Sequence, residues 1–170
     1  MEASHRLPSE PPRGGRPGEL SGAHDGSGLR IAVVCARFNG EITLRLLDGA
    51  YEALYRLQVS GERRLVAWVP GAFELPLAAK ALAAAKRADA VVCLGAVIRG
   101  ETSHYDFVAG ECARGLQQVQ LETGVPVVFG VLTTETMEQA LERSGGRLGN
   151  KGEEAVVTAV EMANLLPQLR

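Results

Sequence analysis

The stretch Leu29–Ala36 (LRIAVVCA) is an apolar run too uniform for a strand with one wet face, which suits a strand buried on both sides. Three further runs repeat the signal: Leu65–Val69, Ala88–Ile98 (ADAVVCLGAVI) and Val125–Leu132. Between them the apolar period changes to that of a helix. After the first run Leu46, Leu47, Ala50, Leu54 and Leu57 recur at helical spacing, with Asn39 placed to cap. Pro76 suits a first helical turn, and the alanine-rich segment continues to Lys86. Ser103–Asp106 reads as a capping box that opens a helix to about Glu122, with Val108, Cys112, Leu116 and Val119 on one face. A short helix is expected over Glu135–Ser144 and a last one over Glu153–Leu166, stopped by Pro167. Strand–helix alternation of this kind predicts an α/β protein: a three-layer α/β/α sandwich around a four-stranded parallel sheet.

Composition sets the remaining limits. Residues 1–28 hold Pro8, Pro11, Pro12 and Pro17, six glycines and no apolar periodicity, so they are read as a flexible tail ahead of a single domain over 29–170. A net charge of −2 gives no electrostatic case for nucleic acid, and no basic amphipathic stretch suggests a membrane surface. The N-terminus lacks the apolar core of a signal peptide and no run approaches membrane-spanning length, so a cytoplasmic protein is expected. Cys35, Cys93 and Cys112 share no CxxC spacing and fall in apolar contexts, which reads as buried reduced thiols rather than disulfides or metal ligands.

In folds of this class ligands bind beyond the carboxyl ends of the strands. That rule singles out Arg37–Gly40, Pro70–Glu74, Arg99–His104 and Thr133–Thr134. Of the three histidines, His5 and His24 lie in the tail, which leaves His104 as the one imidazole of the domain. Its side-chain type titrates near neutrality and suits proton transfer, although a helix-capping role fits the same position. One histidine without clustered cysteines makes a metal site unlikely to assemble, and no metal is expected. Gly100-Glu-Thr-Ser103 precedes a helix and can cradle an anion through backbone N–H groups; neither a P-loop nor a GxGxxG fingerprint is present. Arg143-Ser-Gly-Gly-Arg-Leu-Gly-Asn-Lys151 is either a solvated turn or a phosphate clamp. Phe38, Phe73 and Phe129 stand near strand ends, where they can stack on a flat heterocycle or simply pack. Glu74 can accept from substrate hydroxyls or favour the positive end of its helix.

Taken in order, Arg37-Phe-Asn-Gly-Glu-Ile-Thr43, Val69-Pro-Gly-Ala-Phe-Glu-Leu-Pro76, Gly95-Ala-Val-Ile-Arg-Gly-Glu-Thr-Ser-His-Tyr-Asp106, Phe129-Gly-Val-Leu-Thr-Thr134 and Gly149-Asn-Lys-Gly152 closely resemble the 6,7-dimethyl-8-ribityllumazine synthases of riboflavin biosynthesis. The resemblance spans residues 29–166 and implies a flavodoxin-like fold. It implies a transferase, free of metal and organic cofactor, that condenses 5-amino-6-(D-ribitylamino)uracil with 3,4-dihydroxy-2-butanone 4-phosphate. Carried onto this chain, it makes His104 the proton donor and acceptor, and stacks Phe38 on the pyrimidine. Ala72, Phe73 and Glu74 would line the ribitylaminouracil site, with Ala96, Val97 and Ile98 binding through their backbone. Glu101 and Thr102 would supply the phosphate nest. Phe129 and Arg143 would come from the adjacent subunit, Phe129 closing the heterocycle pocket and Arg143 gripping phosphate, with Lys151 nearby. The Glu101 carboxylate stands where many relatives carry a small residue.

The partners implied are the small-molecule substrates and further copies of the chain. The resemblance implies a homo-oligomer, as a pentamer or as a sixty-subunit icosahedral shell of twelve pentamers, with riboflavin synthase a candidate enclosed partner. Rival readings are a flavin- or lumazine-binding carrier without catalysis, a shell-forming protein, and a riboflavin synthase on the same fold.

Overall fold

The computed structural model describes residues 16–170, so His5, Pro8, Pro11 and Pro12 lie outside the described residues. The first apolar run forms β1 (Ile31–Ala36), buried at every position, and the longest forms β3 (Ala90–Ile98), buried through Val97. β2 (Arg64–Val69) and β4 (Val127–Thr134) complete a four-stranded sheet in the order β2-β1-β3-β4, with every pairing parallel. Cys35 sits opposite Trp68 on one side and Leu94 on the other, which fixes the register at the centre.

Two cores flank the sheet. On one face Ile31, Val33, Cys35, Val92 and Leu94 meet α1 (Gly40–Arg56) and α5 (Lys151–Leu165). On the other Ala32, Val34, Val91 and Cys93 meet α2 (Leu75–Ala84) and α3 (His104–Thr123). The fold is thus a three-layer α/β/α sandwich of flavodoxin-like type, as the alternation of runs predicts. A short α4 (Met137–Arg143) and a small antiparallel hairpin, β5 (Ser144–Gly146) and β6 (Gly149–Asn150), join β4 to α5. All three cysteines are free and buried. Burial pushes the Cys35 and Cys112 thiols up to about 12, and the Cys93 thiol well up too.

Element ends depart from expectation where a side chain found a different partner. Asn39 stands at the N-cap position of α1, yet its backbone is left-handed (φ 55°) and its side chain makes no cap bond. Its amide instead donates to the Ala96 carbonyl at 2.9 Å, across the end of the sheet. The Ser103–Asp106 capping box does not form either: Ser103 is helical in backbone and makes no side-chain cap. Asp106 pairs instead with Arg99 at 3.2 Å. The caps that do form are Thr136 Oγ1, accepting from Gln139 N, and Asn150 Oδ1, accepting from the N–H groups of Gly152 and Glu153. The second of these starts α5 at Lys151, two residues ahead of the expected Glu153. Gly152 allows that start, because a Cβ there would collide with the Leu46 carbonyl of α1. The α-helix ends at Leu165 ahead of Pro167, and the chain continues as one 3-10 turn over Leu166–Leu169.

Of the leading segment, residues 21–25 lie against α5 and the turn that follows it. Asn164 Nδ2 donates to the carbonyls of Ala23 and Asp25 at 2.8 Å, and Gln168 Nε2 to Ser21 at 3.0 Å. His24 Nε2 lies 3.0 Å from Glu161 Oε2. A stretch whose composition supplies no core of its own is held here by polar groups of a neighbouring helix.

Candidate active site

In the order β2-β1-β3-β4 the chain leaves β1 for one side of the sheet and later returns to the other. The connections after β1 and β3 therefore diverge and open a crevice between them. A cavity of about 470 Å3 occupies that crevice, with Phe38 and Asn39 from the end of β1, Ala96–Ile98 from β3 and Thr102 and His104 from the start of α3. Its remaining wall is the Pro70–Glu74 turn after β2. Three of the four stretches marked out by the sequence thus converge on one place.

Phe38 and Phe73 leave 73% and 60% of their surface exposed. Rings that open to solvent at a cavity rim are not part of this chain's core packing. Ala72 and Ala96 are buried at 6% and 3%, so their contribution to the cavity is shape and backbone. Val97 is buried and Ile98 partly so, at the last turn of β3. The Glu74 carboxylate folds toward Gly71, where an added Cβ would sit 3.3 Å from its Oε2.

His104 is the first residue of α3, exposed, with its N–H donating to Thr102 Oγ1 at 3.3 Å. That N–H is the backbone one, taken up by the Thr102 hydroxyl. Gly100 and Thr102 border the cavity, while Glu101 is exposed and not among its lining residues.

Phe129, Arg143 and Lys151 lie elsewhere. They line a separate hollow of about 400 Å3 on the outer side of the β4 edge strand, together with Glu154 and Thr158. Phe129 is 41% exposed there. Arg143 donates to the Gln139 carbonyl at 3.1 Å and has Glu142 at 4.0 Å, which leaves guanidinium capacity for another anion. Lys151 Nζ is 2.6 Å from Glu154 Oε2. Within one chain the two sets of residues do not meet.

Residues 28–167 match the sequence model of the 6,7-dimethyl-8-ribityllumazine synthase family. The chain belongs to that family. The match takes in every residue of both hollows and all four strands of the large sheet. Membership makes the chain a transferase-type enzyme of riboflavin biosynthesis, with lumazine synthase activity. Among the described residues no three His, Cys, Asp or Glu side chains are grouped to hold a metal ion, and no helix is long and apolar enough to cross a membrane.

Several cavity residues had not been singled out from the sequence. Asn39, Tyr105 and Val108 line it. Tyr105 and Val108 project from the first turns of α3; Val108, four residues after His104, shares its helix face, whereas Tyr105 at the next position carries no such signal. Asn39 was assigned to a cap, since residue type and position match a capping residue; only its left-handed backbone separates the two roles.

Proposed function

We propose that this chain condenses 5-amino-6-(D-ribitylamino)uracil with 3,4-dihydroxy-2-butanone 4-phosphate to give 6,7-dimethyl-8-ribityllumazine, phosphate and water, in the cytoplasm and without metal or organic cofactor. The observation that carries the reading is the convergence of Phe38, Ala72–Glu74, Ala96–Ile98 and His104 on one crevice in a chain of this family.

Phe38 stacks on the pyrimidine, and backbone groups of Ala96–Ile98 with the Glu74 carboxylate hold the ribitylaminouracil. The backbone N–H groups of Glu101 and Thr102, at the start of α3, receive the phosphate. Their exposure and the positive end of a long helix support that role. The uracil's amine attacks the ketone carbon, and an imine forms as water leaves. Phosphate is then eliminated to leave an enol, which tautomerises to a new ketone; attack of the ribitylamino nitrogen on that ketone closes the ring and expels a second water. His104 moves the protons these steps release and require. Most of the acceleration comes from holding two flexible reactants together, with phosphate charge offset by Arg143.

Because Phe129, Arg143 and Lys151 line the far side of the β4 edge, they reach a crevice only on a second copy of the chain. A ring of copies, with five members as the expected number, completes each site between neighbours. Closure into a shell, and enclosure of riboflavin synthase within it, would be further steps of the same assembly.

The test is to mix purified protein with the two substrates and follow the lumazine by absorbance and fluorescence alongside released phosphate. Saturable formation of both in equal amounts, above the uncatalysed background, is expected. No acceleration by folded, oligomeric protein would contradict the reading and favour a lumazine- or flavin-binding carrier.

A further inference from the structure

Arg99, the partner of Asp106, is the residue after β3. Its backbone N–H donates to the Thr134 carbonyl at 2.9 Å, which extends the β3–β4 pairing by one bond. Its side chain then does something no cap or strand requires. The Nη2 group lies 3.2 Å from Asp106 Oδ1 in the first turn of α3, and Nε lies 2.8 Å from Glu135 Oε2 beyond the end of β4. The guanidinium carbon sits 4.2 Å from the centre of the Tyr105 ring, which lines the cavity. Hydrogen bonding to Asp106 and then Glu135 pushes the Arg99 pKa further up.

Each carboxylate leads to one of the two separated half-sites. Asp106 is two residues past His104, and its backbone N–H donates to the Ser103 carbonyl at 3.0 Å, in the turn whose Gly100 and Thr102 border the cavity. Glu135 N–H donates to Gln139 Oε1 at 2.8 Å, while Gln139 N donates to Thr136 Oγ1 at 3.2 Å. Those two bonds tie Glu135 to α4, and the Gln139 carbonyl in turn accepts from Arg143. A continuous set of contacts therefore runs from the 100–104 turn through Arg99 to the guanidinium at the end of α4.

We infer that Arg99 is a positioning residue for the phosphate-bearing substrate, holding the 100–104 turn and α4 at a fixed separation through Asp106 and Glu135. This rests on the phosphate roles proposed above for that turn and for Arg143. With the Arg99 side chain 38% exposed and each carboxylate 60% exposed, the ion pairs contribute little to stability. Their effect is on geometry: a fork with two fixed arms sets two anchors, whereas a point charge sets one. The same guanidinium also offsets the charge of both carboxylates.

The test compares wild type, Arg99→Ala and Arg99→Lys for kcat, for KM of each substrate, and for Kd of inorganic phosphate by calorimetry. Arg99→Ala is expected to raise the KM of the butanone phosphate and the Kd of inorganic phosphate by roughly fivefold, the upper range for loss of half-exposed ion pairs. The KM of the ribitylaminouracil should stay within about twofold of wild type, and the melting temperature should barely move. Arg99→Lys keeps the charge but reaches one carboxylate, so it should fall between the two. Equal rises in both KM values, no change in either phosphate constant, or full recovery by Arg99→Lys would overturn the inference. Should Arg99→Ala not fold, Glu135→Gln cuts one arm at the surface and must still weaken inorganic phosphate; an unchanged Kd would count against Arg99. Wild-type protein that makes no product would sink the proposed reaction, while the phosphate titration would still decide on Arg99.

Discussion

At the scale of single residues, His104 and Arg143 differ in what their removal should do. His104 is exposed at the mouth of a crevice whose walls do the holding. His104→Ala should therefore lower kcat by about a hundredfold, the low end for general acid–base groups, and leave measurable turnover. Complete loss in a folded variant would show that proton transfer outranks positioning. In the role proposed for it Arg143 holds phosphate, so Arg143→Ala should raise the KM of the phosphorylated substrate while kcat stays close to wild type. A collapsed kcat with unchanged KM would contradict that division. Glu101 illustrates a limit of the residue scale: its type argues against an anion site, yet its exposure shows the carboxylate has room to turn outward.

At the scale of elements, much of the architecture could be read from apolar runs, since a strand buried on both faces admits few polar residues. Among the described residues, the four strands of the large sheet and the five α-helices are those the pattern predicts; β1, β2 and β3 end at the expected Ala36, Val69 and Ile98, while other ends shift by a residue or more. The two caps that fail share a cause. Asn39 and Ser103 have the right types for caps, but competing tertiary partners decide, and Ala96 and the Arg99–Asp106 pair are invisible to local pattern. The hairpin β5–β6 was read only as a connector, because glycines at φ 102° and 82° leave no apolar signal. Gly152 marks a close approach between α1 and α5. Gly152→Ala should thus destabilise the fold by about 1–3 kcal/mol through overpacking, seen as a lower urea midpoint with unchanged slope. No change in midpoint would mean the two helices are free to move apart.

The base of the sheet offers a second element-scale prediction. Arg30 hydrogen-bonds Asp89 through its backbone and its guanidinium, clasping the starts of β1 and β3. Those bonds hold the Asp89 carboxyl below the ordinary carboxylate value. The sign follows from linkage: a depressed folded-state pKa gives stability that is complete above the unfolded value and lost as pH falls through the folded one. Urea midpoints should therefore decline below about pH 4 in the wild type, and Asp89→Asn should decline less over that window while being less stable at neutral pH. Parallel declines in both proteins would remove Asp89 from the account.

At the scale of the whole molecule, the separation of two half-sites decides the most. Sequence motifs brought Phe129, Arg143 and Lys151 into the same account as His104, but one chain holds them in another hollow, across the β4 edge. Local pattern carries no record of which copy a residue serves. If neighbouring copies share sites, His104→Ala and Arg143→Ala damage different chains at each junction. Co-expressing the two variants with different tags and purifying mixed oligomers on both tags gives the most direct measurement. Roughly a quarter of junctions in an equal random ring should then carry an intact pair. Turnover at low butanone phosphate, well above that of either variant alone, is the result this account predicts. Mixed oligomers no more active than the two variants apart would contradict a site built between copies.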